Sequence, residues 1–382
     1  MRLKVFSLSQ ILSILTLGYL TKIHFDLKYG SGGESLCNIN QVLNCDVVNA
    51  SQFASLFGIP VSLLGVLANF FVLCLGASAA MQMDFDRKSR LLSLTRLAML
   101  PIVAASIVWG TISVTQLHAY CLFCITAYAL SFVSFFAIFK HPDLKSPVGD
   151  SIQYLLSPQG RWAAYLALGL AVLAPVSNGA LKNQFNPLKP DIINEIVENW
   201  KVSPEFRFDI QNAFTLNEQD SPKMTLIEFA DFLCIHCKHA HPMLHTFVQS
   251  HPDVKFVYMT FALDGDCNEA IGRSGGGRSC RMAAANICAY RQGKGEQMQK
   301  RLFEIFHDYT DEDAQKLSAE LGLDDTKFKE CINSDETMDF IKSQGKAGKD
   351  AGIQGTPTIF INGKKLEYGN TWQVLEAAYN SL

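Results

Sequence analysis

The sequence predicts a multi-domain fold, an α-helical membrane bundle followed by an α/β domain, and three observations predict it. From Leu97 to Phe139 there is no Lys, Arg, Asp or Glu, a run roughly twice the ~20 residues one helix needs to cross a bilayer. The other long apolar runs also lie before residue 182. Beyond Pro222 the pattern changes to short apolar strands alternating with polar helical stretches. The chain has 382 residues, 48% hydrophobic, with a net charge of −3 and no basic tract, so composition gives nucleic acid no footing as a partner. Its 11 cysteines include two Cys-x-x-Cys pairs, which point to redox chemistry.

The first apolar run, Val5 to Thr21, follows Met1-Arg-Leu-Lys4. No small-x-small cleavage site follows it, so it reads as a retained span and not a signal peptide. Val61–Met83 is the second span. The long charge-free run divides near His118 into Leu97–Leu117 and Ala119–Phe139, and Ala163–Ala180 is the fifth span. Arg2, Lys4, Arg87, Lys88, Arg90, Arg96, Lys140 and Arg161 all face one side, against Lys22 and Lys28 on the other. The excess of basic residues on the cytoplasmic side then puts the N-terminus in the cytoplasm and the C-terminus outside, in a multi-pass protein of the bilayer. The expected organisation is a bundle over 1–150, an amphipathic segment and the fifth span over 151–182, a linker over 183–222 with one short helical pattern at Ile192–Trp200, and the α/β domain over 223–382.

Cys121 and Cys124 open the fourth span at the outer membrane surface. A Cys-x-x-Cys pair covers about one helical turn, so its sulfurs can close a small disulfide or exchange it with another dithiol. The loop from Asp26 to Ile59 shares that face and carries Cys37 and Cys45, tethered on Gly30-Ser-Gly-Gly33. Two readings apply to this loop pair: a shuttle that meets one partner outside and one inside, or a structural disulfide that pins the loop. Cys74, alone in an apolar helix, reads as a small core residue.

Cys37, the interval to Cys45, the run Cys45-Asp-Val-Val-Asn-Ala-Ser51, the span entry Phe57-Gly-Ile-Pro-Val-Ser62 and the stretch Tyr120-Cys-Leu-Phe-Cys-Ile-Thr-Ala-Tyr128 together resemble the vitamin K epoxide reductase family in its bacterial form. The likeness covers about residues 5–140. It implies a four-helix bundle that holds a quinone, such as ubiquinone or menaquinone, beside the Cys-x-x-Cys pair, in a bacterial inner (plasma) membrane. It further implies that Cys121 and Cys124 reduce the quinone, that Cys37 and Cys45 relay electrons to them, and that Ser51 and Tyr128 line the pocket. Tyr128 lies one helical turn past Cys124 and so projects from the same face. Ser51 has an alternative reading as the N-cap of a short helix over Gln52–Phe57.

In the C-terminal domain an apolar strand, Met224-Thr-Leu-Ile-Glu-Phe-Ala, leads to Cys234-Ile-His-Cys237 at the start of a helix. A thiol at a helix N-terminus feels the positive end of the macrodipole, which stabilises its thiolate. His236 adds a donor or a positive charge beside that sulfur. Cys234, Cys237, His241 and His245 also have spacings a zinc site can use. The buried-type strand before them and the oxidising outer compartment disfavour that reading, so no metal is expected, and the histidines read as ordinary polar helix positions.

Gly355-Thr-Pro-Thr-Ile-Phe-Ile-Asn-Gly363 completes a resemblance to the thioredoxin superfamily, and more closely to its DsbA-like branch. The resemblance implies a cis-proline loop, Thr356-Pro357, against the active-site sulfurs. It also implies a helical insertion over about Ser279–Lys346 and a proton-exchanging acid at Glu228, whose alternative reading is a carboxylate at a solvated strand end. Ile235 stands where the archetype has proline. Cys267, Cys280, Cys288 and Cys331 remain, and outside the cell they are expected as two structural disulfides, Cys267–Cys280 bracketing the glycine-rich stretch and Cys288–Cys331 tying two inserted helices.

Joined, the parts predict a disulfide-generating oxidoreductase of exported or periplasmic proteins. Electrons run from reduced protein substrates through Cys234/Cys237, Cys37/Cys45 and Cys121/Cys124 to a membrane quinone. Direction is open at this stage, because Cys-x-x-Cys domains span roughly −270 to −120 mV. A reductase or isomerase role for the outer domain is one alternative, and a membrane-anchored metal-binding chaperone is another.

Overall fold

The computed structural model describes every residue except Met1, 31–34, 39–42, 118, 145–147 and 186. His118, at the expected reversal, and most of the glycine tether lie outside the described residues. The chain forms two compact units that meet between Pro187 and Leu188.

The first unit contains α1 (Arg2–Tyr29), α2 (Cys45–Ala50), a two-stranded hairpin of β1 (Ser55–Leu56) and β2 (Ile59–Pro60), α3 (Val61–Met81), α4 (Phe85–Ile112), α5 (Leu122–Phe139), α6 (Val148–Leu156) and α7 (Arg161–Gln184). Five of its helices are long and apolar enough to cross a membrane; the helical run that begins with α4 continues to Leu117. Helices α1, α3, α4 and α5 pack around a ring, α1 against α3 and α5, and α4 between α3 and α5. Phe6, Val72, Leu92, Met99 and Ile138 bury one end of this bundle. The hairpin turns at Phe57 and Gly58, both with positive φ, as a tight two-residue hairpin requires.

The helix limits depart from the expected spans in two places. Helix α1 continues past the apolar run to Tyr29, helped by a Lys22–Asp26 pair one turn apart. Helix α5 starts at Leu122 and not at Ala119, because Cys121 caps it in extended backbone. Just before it, residues Ser113–Leu117 widen into a π-helical turn, and the Ser113 hydroxyl donates to the carbonyl of Ala119.

The second unit contains α8 (Pro190–Val202), β3 (Phe214–Leu216), β4 (Met224–Ala230), α9 (Ile235–Ser250) and β5 (Val254–Thr260). Five inserted helices follow: α10 (Arg278–Tyr290), α11 (Gly295–Ile305), α12 (Asp311–Glu320), α13 (Asp325–Ile332) and α14 (Asp335–Asp350). The chain closes with β6 (Thr358–Ile361), β7 (Lys364–Leu366) and α15 (Trp372–Asn380). The sheet order is β3-β5-β4-β6-β7, with β4 and β5 parallel and the other pairs antiparallel. Because strand side chains alternate, Ile227 and Phe229 bury one sheet face with Val257, Met259 and Phe360, while Glu228 and its register partner Tyr258 point to the other.

The stretch 183–222, expected as a linker, is instead mostly folded. Ile196, Val197 and Trp200 form the buried stripe of α8, and the Trp200 indole donates to the carbonyl of Ile361 at 3.3 Å. Phe206 and Phe208 meet Phe360 edge to face, and β3 extends the sheet. The helical pattern expected over Ile192–Trp200 is α8, and what the polar composition did not record is its packing against the sheet.

Candidate functional site

In the first unit both expected cysteine pairs are closed as disulfides, Cys37–Cys45 and Cys121–Cys124. The fold brings them together through backbone: Asn44 N–H donates to the carbonyl of Tyr120 at 3.0 Å, one residue before Cys45 on one side and Cys121 on the other. Cys37 and Cys45 are buried, and the Asn38 side chain bridges to the start of α2, its amide N–H donating to Asp46 and its oxygen accepting from the Cys45 N–H at 3.0 Å. The Asn44 side chain caps α2 by accepting from Asp46 and Val47 N–H.

Cys121 is the N-cap of α5 and its sulfur accepts from the Cys124 N–H at 3.1 Å. Cys121 is buried, whereas Cys124 is half-buried and lines a cavity of about 420 Å³ enclosed by α1, α3, α4 and α5. Ser51 and Tyr128 line the same cavity. Ser51 stands at the N-cap of the 3-10 turn Gln52–Ala54 without a side-chain capping bond; its hydroxyl donates back to the Val48 carbonyl at 2.9 Å and its N–H to the Val47 carbonyl, closing the end of α2. The cavity wall is chiefly apolar, with Leu20, Phe71, Ile102 and Trp109 among its members, and the Trp109 indole is fixed by donation to the Phe53 carbonyl at 2.8 Å. Asn69, which sequence reasoning missed, also lines it. Its side-chain N–H donates to the Gly65 carbonyl at 2.7 Å, and its buried oxygen Oδ1 has no partner. A lone amide inside an otherwise apolar span was the available signal.

In the second unit Cys234 and Cys237 are free thiols at the mouth of α9. Cys234 is the N-cap, in extended backbone, and its sulfur accepts from the Cys237 N–H at 3.4 Å. The two Cys-x-x-Cys motifs thus share one local design. Cys234 is 8% exposed and Cys237 0%, so the first sulfur is the reachable one, though far less open than a surface thiol. Its Sγ lies 3.2 Å from the Thr356 carbonyl, and the Thr356-Pro357 bond is cis. The Cys237 thiol hydrogen bond, then Thr356, then the backbone N–H groups of Cys237 and His236, lower the Cys234 thiol to about 5 against the opposing effect of burial. Burial, then the hydrogen bond to Cys234 and the charge of Glu228, push Cys237 far above the usual thiol range.

Glu228 is not a carboxylate at a solvated strand end: it is 1% exposed, and neither carboxyl oxygen has a partner. Burial first, and the Cys234 charge second, raise it to about 8. Facing it, the Tyr258 hydroxyl is buried, unpartnered and held well above the usual phenol range by burial. The His236 ring is exposed, and it is the backbone of this residue that reaches the sulfur. Asp231, also missed from the sequence, accepts from Leu233 and Leu263 N–H and from the Ser279 hydroxyl, fixing the turn that carries Cys234.

His241 and His245 are not ordinary polar positions. Both are buried with ring centroids 4.0 Å apart, because α9 packs that face against Phe256 and Phe303. Among the described residues no group of three or more His, Cys, Asp or Glu is placed to hold a metal ion. Cys267–Cys280 and Cys288–Cys331 are closed as disulfides, in the pairing expected.

Residues 5–139 match the vitamin K epoxide reductase family and residues 225–380 the DSBA-like thioredoxin domain. Similar solved structures include oxidised BdbD from Bacillus subtilis, 19% identical with a TM-score of 0.40, covering 47% of this chain and 97% of that one. A thioredoxin-like oxidoreductase from Silicibacter pomeroyi DSS-3 is 22% identical at a TM-score of 0.38, covering 45% and 92%. DsbA2 from Pseudomonas aeruginosa is 27% identical at 0.30, covering 38% and 81%. A further relative, the Na(+)/H(+) antiporter NhaA 3 of Salinispora tropica, is 26% identical over 159 residues, which is 41% of this chain and only 23% of the length of that protein.

Proposed function

We propose that this chain, which joins a vitamin K epoxide reductase family domain to a DsbA-like thioredoxin domain, oxidises the thiols of exported proteins and passes the electrons through its own cysteine pairs to a membrane quinone. A thiol-disulfide oxidoreductase follows from the two families; the relay, its direction and its acceptor are the proposal. The observation that carries it is the cavity. Cys124 lies on its apolar wall together with Tyr128 and Ser51, which suits a flat apolar ring bearing two oxygens. A bound quinone supplies a sink for two electrons and two protons.

The chain's own residues do the rest. A substrate thiolate attacks Cys234 in the oxidised outer pair, the Cys234–Cys237 bond breaks, and Cys237 leaves and is protonated. A second substrate thiol then forms the substrate disulfide and releases Cys234 as its stabilised thiolate. To be re-oxidised, the Cys234 thiolate attacks the Cys37–Cys45 disulfide, and Cys237 resolves the adduct. The reduced loop pair exchanges with Cys121–Cys124, the pair to which the Asn44–Tyr120 hydrogen bond ties it. Electrons leave from Cys124, the sulfur at the cavity wall. The bilayer placement follows the basic-residue asymmetry, with both sites and the second unit on the outer face.

The test is anaerobic turnover of the purified full chain with a reduced, unfolded protein and a soluble quinone. One quinol per substrate disulfide is expected. Cys124→Ala should abolish quinol formation while Cys234/Cys237 still exchange disulfides with peptides. Undiminished quinol formation in that variant, or quinol-driven reduction of substrate disulfides as the faster direction, would refute the reading.

A further inference from the structure

We infer that Asn69 is a positioning residue that recognises the hydroxyl-bearing, reduced form of the cavity's ligand, so that the site binds a quinol more tightly than the corresponding quinone. The inference rests on the proposed quinone site and adds a specificity to it. Asn69 sits eight residues into α3, about 12 Å along the helix at ~1.5 Å per residue, and Tyr128 six residues into α5, about 9 Å along. The hairpin before α3, the end of α4 and the start of α5 share one end of the bundle, as the Trp109–Phe53 hydrogen bond shows. The two polar groups therefore lie at similar depth on different walls.

The orientation of the Asn69 amide is decided by chemistry. The Gly65 carbonyl, one turn back, accepts from whichever amide atom faces it, and only the nitrogen of Asn69 can donate. Oδ1 must then face away from that carbonyl, and it has no partner. Asn69 lines the cavity and is 1% exposed, so this oxygen has lost its hydration without recompense. Ser51, Ser106 and Ser131 on the wall each donate to a backbone carbonyl within their own turn, and Ser62 accepts from the Thr21 hydroxyl. A quinone carbonyl cannot donate to Asn69, whereas a quinol hydroxyl can. An acceptor that prefers the quinol also raises the reduction potential of the bound ring and so favours electron flow away from Cys124.

The experiment reads binding directly. Trp109 is the one Trp of the chain's four that lines the cavity, and its fluorescence should be quenched by a short-chain benzoquinone added to the full chain in detergent without thiol. Displacement of that quinone by its quinol, and by the quinol dimethyl ether, which has no hydroxyl, gives their relative affinities. In the unaltered protein the quinol should bind about tenfold more tightly than the dimethyl ether, the value of roughly one buried hydrogen bond, equivalent to about 30 mV for a two-electron couple. Asn69→Leu should abolish that preference while quinone affinity changes less than about twofold, since no hydrogen bond to the quinone is lost. Asn69→Asp should retain the preference, because a buried carboxyl stays protonated and offers the same donor to Gly65 and the same acceptor to the cavity. An unchanged quinol preference in Asn69→Leu overturns the inference, and so does equal loss of quinone and quinol binding in both variants. No quenching in the unaltered protein overturns the quinone site itself, a result distinct from either.

Discussion

The pH dependence of the outer pair's reduction potential tests the electrostatics at Cys234 most directly. Its thiol stands at about 5, against 9.0 for an unperturbed thiol. At pH 7 that difference stabilises the reduced form by roughly 100-fold, which at ~30 mV per decade for two electrons makes the disulfide about 60 mV more oxidising. Reduction consumes two protons below about pH 5, a slope of ~59 mV per pH unit, and one proton above it, ~30 mV per unit, because Cys237 keeps its proton while Cys234 does not. Glu228 adds a smaller feature. It stands higher in the reduced form, where the Cys234 charge faces it, so the slope should steepen again just below about pH 8. Equilibration of the full chain with glutathione across this range, followed by alkylation and mass spectrometry of Cys234 and Cys237, measures the slope. A constant ~59 mV per unit from pH 4 to 7 would mean that Cys234 is an ordinary thiol, and the stabilisation argued from its N-cap position would be wrong.

Three further outcomes are expected. Replacing Cys288 and Cys331 by Ala opens a separation of 43 residues and should cost about 4 kcal/mol, while the Cys267–Cys280 pair, separated by 13, should cost about 3 kcal/mol; denaturant unfolding that reverses the order contradicts the loop-entropy account. Reporters placed after Gly30 and after Gln184 should read as outside and one after Gln82 as inside, and a cytoplasmic signal after Gln184 would dismantle the relay. Cys237→Ala should trap substrate proteins on Cys234, and mass spectrometry finding adducts only on Cys237 in a Cys234→Ala chain would reverse the roles.

Much of the architecture was legible because it is written in strong local signals. Charge-free runs locate the spans, since a charge in hydrocarbon is costly. Thr356-Pro357 and the Cys-x-x-Cys at a strand-to-helix boundary locate the outer site. What stayed hidden depends on packing that no local pattern records. The helical pattern Ile192–Trp200 was legible and is α8, but its docking onto the sheet through Trp200 was not, and Phe206 and Phe208 become core only because β6 places Phe360 against them. His241 and His245 look like solvent-facing polar residues until α11 brings Phe303 over them. Asn69 is one amide in an apolar helix, and its consequence appears only when the neighbouring helices enclose a cavity around it. The loop cysteines allowed two readings, a shuttle or a pinning disulfide, and no local pattern recorded the bonds from Asn38 to Cys45 and Asp46.

In the proposed re-oxidation Cys237 attacks Cys234, yet burial holds its proton firmly, and Glu228 is the base expected to remove it. Glu228, at about 8, is ionised in roughly one molecule in ten at pH 7, and its carboxylate has no hydrogen bond to lose on accepting a proton. The same burial weakens the fold. Between the unperturbed value of 4.5 and about 8 the folded chain holds a proton that the unfolded chain has released, so this residue's contribution to stability falls as pH rises, by up to about 3 kcal/mol at pH 7. In the reduced form Cys234 acts oppositely: its folded value lies below its unfolded one, so stability rises with pH between about 5 and 9.0. Glu228→Gln removes the first effect and leaves the second. The variant should therefore be more stable than the parent at pH 7 and equal to it near pH 4, yet slower to resolve a mixed disulfide on Cys234, with that rate no longer rising toward pH 8. Rapid-quench measurement of resolution, paired with oxidised-state unfolding at both pH values, separates the two. A variant that is stabilised but resolves at the parental rate would remove Glu228 from the proton path and leave its burial without a functional reason.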